Sequence, residues 1–228
     1  MTNSIKSWDD LSYWSSDDWK LVQDRLDEAG NRVVPVRERL FHALDLCPLE
    51  RCRVVILGQD PYCDRDAAQG MAFSVPKNLS YRPPSLQNIF RELCTDMHCK
   101  NPQHGDLTEW AKQGVLLWNC IPSVYPEKGA LSCASWEWFS LTQEILLTLT
   151  VKPVVFVLMG AKARLFRDII DTEASYAEII ETGHPSPLAV NSKSKTSHKF
   201  IGSRIFSRVN ELLVQHRMEP INWSLGLG

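Results

Sequence analysis

Four short strand-like runs constrain this chain more than any other feature, and three of them are almost wholly apolar. They are "RVVILG" over 53–58, Val115 to Trp118, "KPVVFVLMG" over 152–160 and "YAEIIETG" over 176–183. A strand that is apolar on both sides must be covered on both faces, which is the pattern of a parallel sheet. The stretches between them carry helical spacing. Helices are predicted over about 17–28, from Pro35 through "PVRERLFHALDL", and from Ser85 to about His98 with Leu86, Ile89, Phe90 and Leu93 on one face. Further helices are predicted in "DLTEWAKQG" and over about 135–149, 161–171 and 203–217. Strands alternating with helices predict an α/β fold: a three-layer α/β/α sandwich around a central four-stranded, mostly parallel sheet. The 228 residues, 44% of them hydrophobic, suit one domain over 1–228, with 1–30 a looser N-terminal extension whose tryptophans fit either core or a docking surface.

In such sheets the binding crevice lies beyond the carboxyl ends of the strands. The polar residues that follow each strand are therefore expected to converge: Gln59, Asp60 and Tyr62 after the first, and Asn119 after the second. Gly160, Ala161 and Lys162 follow the third, and His184, Pro185 and Ser186 the fourth.

Composition excludes other classes. A formal net charge of -2 gives no global field for a polyanion, so any nucleic-acid contact has to come from a local patch. Seven cysteines without paired spacing do not make a secreted disulfide framework. Cys94, His98 and Cys99 lie close together, but no second cluster completes a zinc site. The N-terminus has no apolar signal core and the longest apolar runs are far below a membrane span, so an intracellular protein, cytoplasmic or nuclear according to source, is expected. No G-x-S-x-G elbow, phosphate-binding loop or G-x-G-x-x-G occurs. One carboxylate, one imidazole and several planar hydrogen-bonding groups suit a ligand with amide-like edges, such as a nucleobase on a sugar.

Five ordered motifs now matter together: "VVILGQDPY", "GMAFSV", "PPSLQNI", "HGDLTEWAKQGVLLWN" and "HPSPL". From about residue 30 to "EPINW" at 219–223 the chain resembles the family-1 uracil-DNA glycosylases. The resemblance implies a metal-free, cofactor-free enzyme acting on uracil in single- or double-stranded DNA. Such an enzyme extrudes the uridine and cleaves the bond between C1′ and N1. It implies Asp60 and His184 as the catalytic pair, one facing the sugar and the other donating to uracil O2 as a neutral imidazole. Asn119 would read O4 and N3–H, Phe73 would stack on the base, Tyr62 would exclude a thymine methyl, and Gln59 would shape the pocket. The DNA-handling parts would be Pro83, Pro84 and Ser85 as a stiff loop, with Ser85 also capping the next helix. Gly160, Ser186 and a basic rim of Lys162, Lys193, Lys195, Lys199 and Arg204 would meet phosphates, and Leu188 would fill the vacated stack. A monomer is the default. A proteinaceous glycosylase inhibitor or a replication partner is compatible with the family, and so is a glycosylase fold kept as the DNA-binding subunit of a replication complex. A glycosylase of broader base preference is a third reading, less suited to Tyr62 and Asn119 together.

Three departures stand out. Cys63 replaces the histidine that usually follows "GQDPY", Gly160-Ala161 stands for the usual glycine-serine pair, and about six residues around "NSKSKT" are inserted after "HPSPL". The inserted lysines add positive charge where DNA is expected to lie. Trp118 stands where a leucine is commoner and is read as a core residue.

Overall fold

The computed structural model describes residues 5–125, 136–173, 176–192 and 198–226. The apolar runs become β1 (Val54–Gly58), β2 (Val115–Asn119), β3 (Val154–Met159) and β4 (Ala177–Thr182). They pair in the order β2-β1-β3-β4, and every pairing is parallel rather than mostly so. β1, β2 and β3 are buried at every residue, as two covered faces require.

The helices are α1 (Asp17–Ala29), α2 (His42–Leu46), α3 (Pro84–Met97), α4 (Thr108–Ala111), α5 (Trp136–Leu149), α6 (Ala161–Arg164), α7 (Arg167–Glu173), α8 (Pro187–Val190) and α9 (Ile205–Gln215). α3 and α9 pack on each other, and α9 lies on β3 and β4. Buried carboxylates tie that layer together. Glu92 of α3 accepts the amides of Gly202 at 2.6 Å and Arg204 at 2.8 Å, and Asp96 accepts the Ser207 amide at 2.9 Å. α5 forms the opposite layer with α1 and α7. Its Thr142 hydroxyl accepts from Trp118 Nε1 of β2 at 2.9 Å, so Trp118 is core. Ser16 caps α1 by accepting the Trp19 amide at 3.1 Å. Ahead of it Trp8, Leu11 and Tyr13 are buried, and Trp14 and Trp19 pack edge-on against Phe41. Among the described residues, no helix is long and apolar enough to cross a membrane.

Three local expectations are corrected. "PVRERLFHALDL" is not one helix: Arg37–Arg39 make a 3-10 turn and α2 begins only at His42. The break receives Gly70 from the loop after β1, whose carbonyl accepts the Ala43 amide at 3.1 Å. A Cβ on Gly70 would stand 1.7 Å from the Arg39 oxygen, so an unbroken helix and this loop cannot share the space. The expected helix over 161–171 is split into α6 and α7. Phe166 turns inward to stack on Phe139 at 5.3 Å, while Leu165 stays exposed. Ser85 does not cap α3: the helix opens at Pro84 with Pro83 in the cap position and no side-chain cap bond, which leaves Ser85 two residues past the cap, inside the first turn.

Candidate active site

The parallel sheet delivers the polar strand-end residues to one edge. Gly58 ends β1 in register with Asn119, which ends β2. Gln59 and Asp60 follow β1, Gly160 follows β3, and His184 follows β4. Gln59, Asp60, Gly160, Lys162, His184 and Ser186 line one crevice of about 550 Å³. It opens where the connections from β1 and β3 leave in opposite directions, the switch point of the sheet.

Behind it Asn119 and Phe73 close on the end of β1. A Cβ placed on Gly58 would stand 2.7 Å from Asn119 Oδ1 and 3.2 Å from two ring carbons of Phe73. The missing methyl therefore lets a carboxamide and an aromatic ring approach the strand end together. Phe73 reaches it from a left-handed backbone conformation (φ 64°), which a bulky side chain adopts only when its surroundings hold it there. Tyr62 supplies part of that hold, donating its hydroxyl to the Phe73 carbonyl at 3.0 Å. The Phe73 and His184 rings lie 6.0 Å apart, so this junction adjoins the crevice.

Burial sets the charge states. His184 sits below its ordinary imidazole pKa because desolvation disfavours the cation, and Nδ1 accepts the Ser186 amide at 3.1 Å. A neutral ring that accepts at Nδ1 carries its proton on Nε2, so one N–H donor is left for a ligand. Burial raises the Asp60 carboxyl above the usual range, opposed by the Gln59 amide, which donates to it at 3.3 Å. Gly160 serves the imidazole: a Cβ there would meet His184 Cβ at 2.9 Å, and the Gly160 amide donates to the Thr182 carbonyl at 3.0 Å. Cys63 is exposed beside the site, and both partial burial and the Asp60 charge raise its thiol, so it is not an activated nucleophile. Among the described residues, no three His, Cys, Asp or Glu side chains are grouped to hold a metal.

Comparison with known proteins decides what this constellation belongs to. Residues 44–203 match the family model of the uracil DNA glycosylase superfamily. The chain belongs to the uracil-DNA glycosylase superfamily. It is 39% identical to the uracil-DNA glycosylase of Acinetobacter baylyi over 222 residues, covering 90% of this chain and 88% of that one. It is 44% identical to the Streptococcus agalactiae uracil-DNA glycosylase over 202 residues, covering 88% and 87%. The crystal structure of mimivirus uracil-DNA glycosylase superposes with a TM-score of 0.78 at 30% identity, over 93% of this chain and 86% of that one. A variant of the mimivirus protein in complex with UGI superposes at 0.79 with 29% identity, over 94% and 89%.

Of the other predicted residues, Lys162 and Ser186 line the crevice. Pro84 is exposed and Ser85 half-buried at the head of α3. The neighbouring Asn88 donates to the Pro185 carbonyl at 2.8 Å, which fastens this loop to the one bearing His184. Leu188 stands 89% exposed on α8, an apolar side chain with no protein cover. Lys162 is exposed on the rim. Lys193 and Lys195 lie outside the described residues, as does most of the insertion. Arg204, expected on the basic rim, is instead paired with Glu211 at 3.1 Å. Gly58 and His198, which also lines the crevice, were not singled out by sequence reasoning. The signal for Gly58 was available, because it closes an apolar strand directly before "QDPY".

Proposed function

We infer that the chain releases uracil from DNA by hydrolysing the N-glycosidic bond of an extruded uridine, leaving an abasic site for base excision repair. The observation that carries this reading is that His184, whose Nδ1 accepts the Ser186 amide and whose Nε2 is left for a ligand, shares one crevice with Asp60, beside the junction of Asn119 and Phe73 at Gly58. As the bond between C1′ and N1 breaks, its electron pair passes to the base and accumulates on O2, while the sugar becomes an oxocarbenium ion. His184 Nε2–H stabilises the first charge by a hydrogen bond, and the Asp60 carboxylate stabilises the second and orients the water that attacks C1′. Both groups stand in place before charge develops, which is the effective form of electrostatic catalysis.

Selection follows from the residues gathered at Gly58. The Asn119 carboxamide donates to uracil O4 and accepts from N3–H. Cytosine presents the opposite pair, which would leave buried polar groups unmatched. Phe73 stacks on the base, Gln59 closes the pocket wall, and Tyr62 occupies the place a thymine methyl would need. On the DNA side, Pro84, Ser85 and Ser186 bear on the backbone, and Lys162, Lys193 and Lys195 supply charge. Leu188 fills the gap in the stack, and Gly160 acts by admitting His184. We read residues 1–228 as one domain that works as a monomer inside the cell, in cytoplasm or nucleus according to source. A proteinaceous inhibitor as a partner is supported by the UGI complex of the mimivirus relative. The test is base release from single- and double-stranded oligonucleotides that carry uracil, with thymine and cytosine controls. Release from uracil alone is expected; no release from any of them would overturn the reading.

A further inference from the structure

A second cleft, of about 760 Å³, flanks the loop Pro83-Pro84-Ser85 between Arg82 and Gln87 and shares no wall residue with the crevice. Its walls include Tyr81, Arg82, Gln87, Arg91 and His104, and no aspartate or glutamate. In a chain whose 27 acidic residues outnumber its 25 lysines and arginines, an acid-free cleft with two guanidinium groups is a local departure. The Arg82 guanidinium donates to the Pro102 carbonyl at 2.8 Å and lies 5.8 Å over the Phe90 ring, contacts that place it without neutralising it. Arg91 is exposed, and among the described residues no carboxylate pairs with it. Two acids outside the walls are bonded to wall residues: Asp64 accepts the Tyr81 hydroxyl, and the Asp106 amide donates to His104 Nδ1 at 3.2 Å.

Consecutive residues of α3 connect this cleft to the active site. The Gln87 side chain donates to the Arg82 carbonyl at 2.7 Å, on the cleft side. The Asn88 side chain donates to the Pro185 carbonyl at 2.8 Å, on the side of His184. The head of α3 is thus a ridge with the crevice on one flank and the cationic cleft on the other. From Ser85 to Arg91 the helix advances about 9 Å, at roughly 1.5 Å per residue. That is the rise of two to three nucleotides of a strand, at about 3.4 Å each.

We propose that this cleft is a second DNA subsite, which receives the phosphodiester backbone two to three nucleotides from the extruded uridine on one side. Arg82 and Arg91 meet phosphates there, and the exposed ring of Tyr81 offers a face for one base. The proposal rests on uracil excision at the crevice described above. Its test uses three single-stranded substrates: a short one with a single nucleotide on each side of the uridine, and two others extended by four nucleotides, one only on the 5′ side and one only on the 3′ side. One of the two extensions is expected to raise kcat/KM of the wild type several-fold. Arg91→Ala is expected to remove about three- to tenfold on that substrate, mostly through KM, and to lower the salt slope by about 0.7. Arg91→Lys is expected to retain most of the gain, since charge is the main requirement. Equal gains from both extensions, or an Arg91→Ala variant that keeps the full one-sided gain with an unchanged salt slope, would overturn the subsite. Failure of the wild type to release uracil from any of the three would instead count against the excision reading itself.

Discussion

Gly58→Ala adds one methyl group, and its consequences follow directly from the close approach of Asn119 and Phe73. The new carbon would stand 2.7 Å from Asn119 Oδ1 and 3.2 Å from the Phe73 ring, where ordinary contact begins near 3.4 Å. The carboxamide therefore has to retreat by about 0.7 Å, inside a strand end that is buried on all sides. The two hydrogen bonds from Asn119 to uracil are worth about 1 kcal/mol or more each, and a shift of that size forfeits most of both. The expected loss is about 2–3 kcal/mol of transition-state stabilisation, or roughly 30- to 150-fold in kcat/KM. Overpacking also lowers stability by about 1–3 kcal/mol, so uracil release is measured well below the melting transition. A double-mutant cycle isolates the cause. Asn119→Ala removes the atom that the methyl displaces, so in that background Gly58→Ala is expected to cost little more. A folded Gly58→Ala enzyme within twofold of wild type would refute the idea that Asn119 and Phe73 read the base across Gly58.

Four further outcomes are expected. Uracil release should rise with pH as Asp60 ionises and His184 loses its proton, and stay level from about pH 7 to 8. Burial holds His184 below its ordinary 6.5, whereas a required imidazolium would make activity fall over that range. Burial raises the Asp60 pKa in the folded state, so the folded form binds that proton more tightly than the unfolded chain does, and ionising the group costs stability. Asp60→Asn should therefore match or exceed wild-type melting temperature at neutral pH and lose that advantage below the unfolded carboxyl value of 3.8. Leu188→Ala should slow release from duplex DNA by about tenfold and from single strands far less, because only the duplex has a stack to fill; equal effects would remove the wedge role. Tyr62→Ala should gain measurable thymine release and also lose uracil activity, since the hydroxyl that holds Phe73 is removed with the ring.

The sheet and the convergence of polar strand ends were legible because they depend on short-range pattern: apolar runs, the breaks between them and the side of the sheet where they end. What sequence reasoning did not see at particular positions depends on what arrives from elsewhere. Gly58 reads as a strand terminus until Phe73 and Asn119 are seen to meet above it. Gly160 reads as a phosphate-loop glycine, although its amide is bonded to Thr182 and its bare face admits His184. The helix expected from Pro35 was periodic enough on its own terms. Its break is imposed by Gly70, some thirty residues further along the chain. Arg82 and Arg91 carry no motif, and only the cleft between α3 and the loop before it gives them a common direction.

The central claim is that Asp60 and His184 act on a uridine at one crevice. Single-turnover release of uracil by Asp60→Ala and by His184→Ala, measured beside their affinity for the same oligonucleotide, tests it most directly. Each substitution is expected to slow release by about 10²- to 10⁴-fold while DNA affinity stays within a few-fold of wild type. Wild-type rates in either folded variant would contradict it.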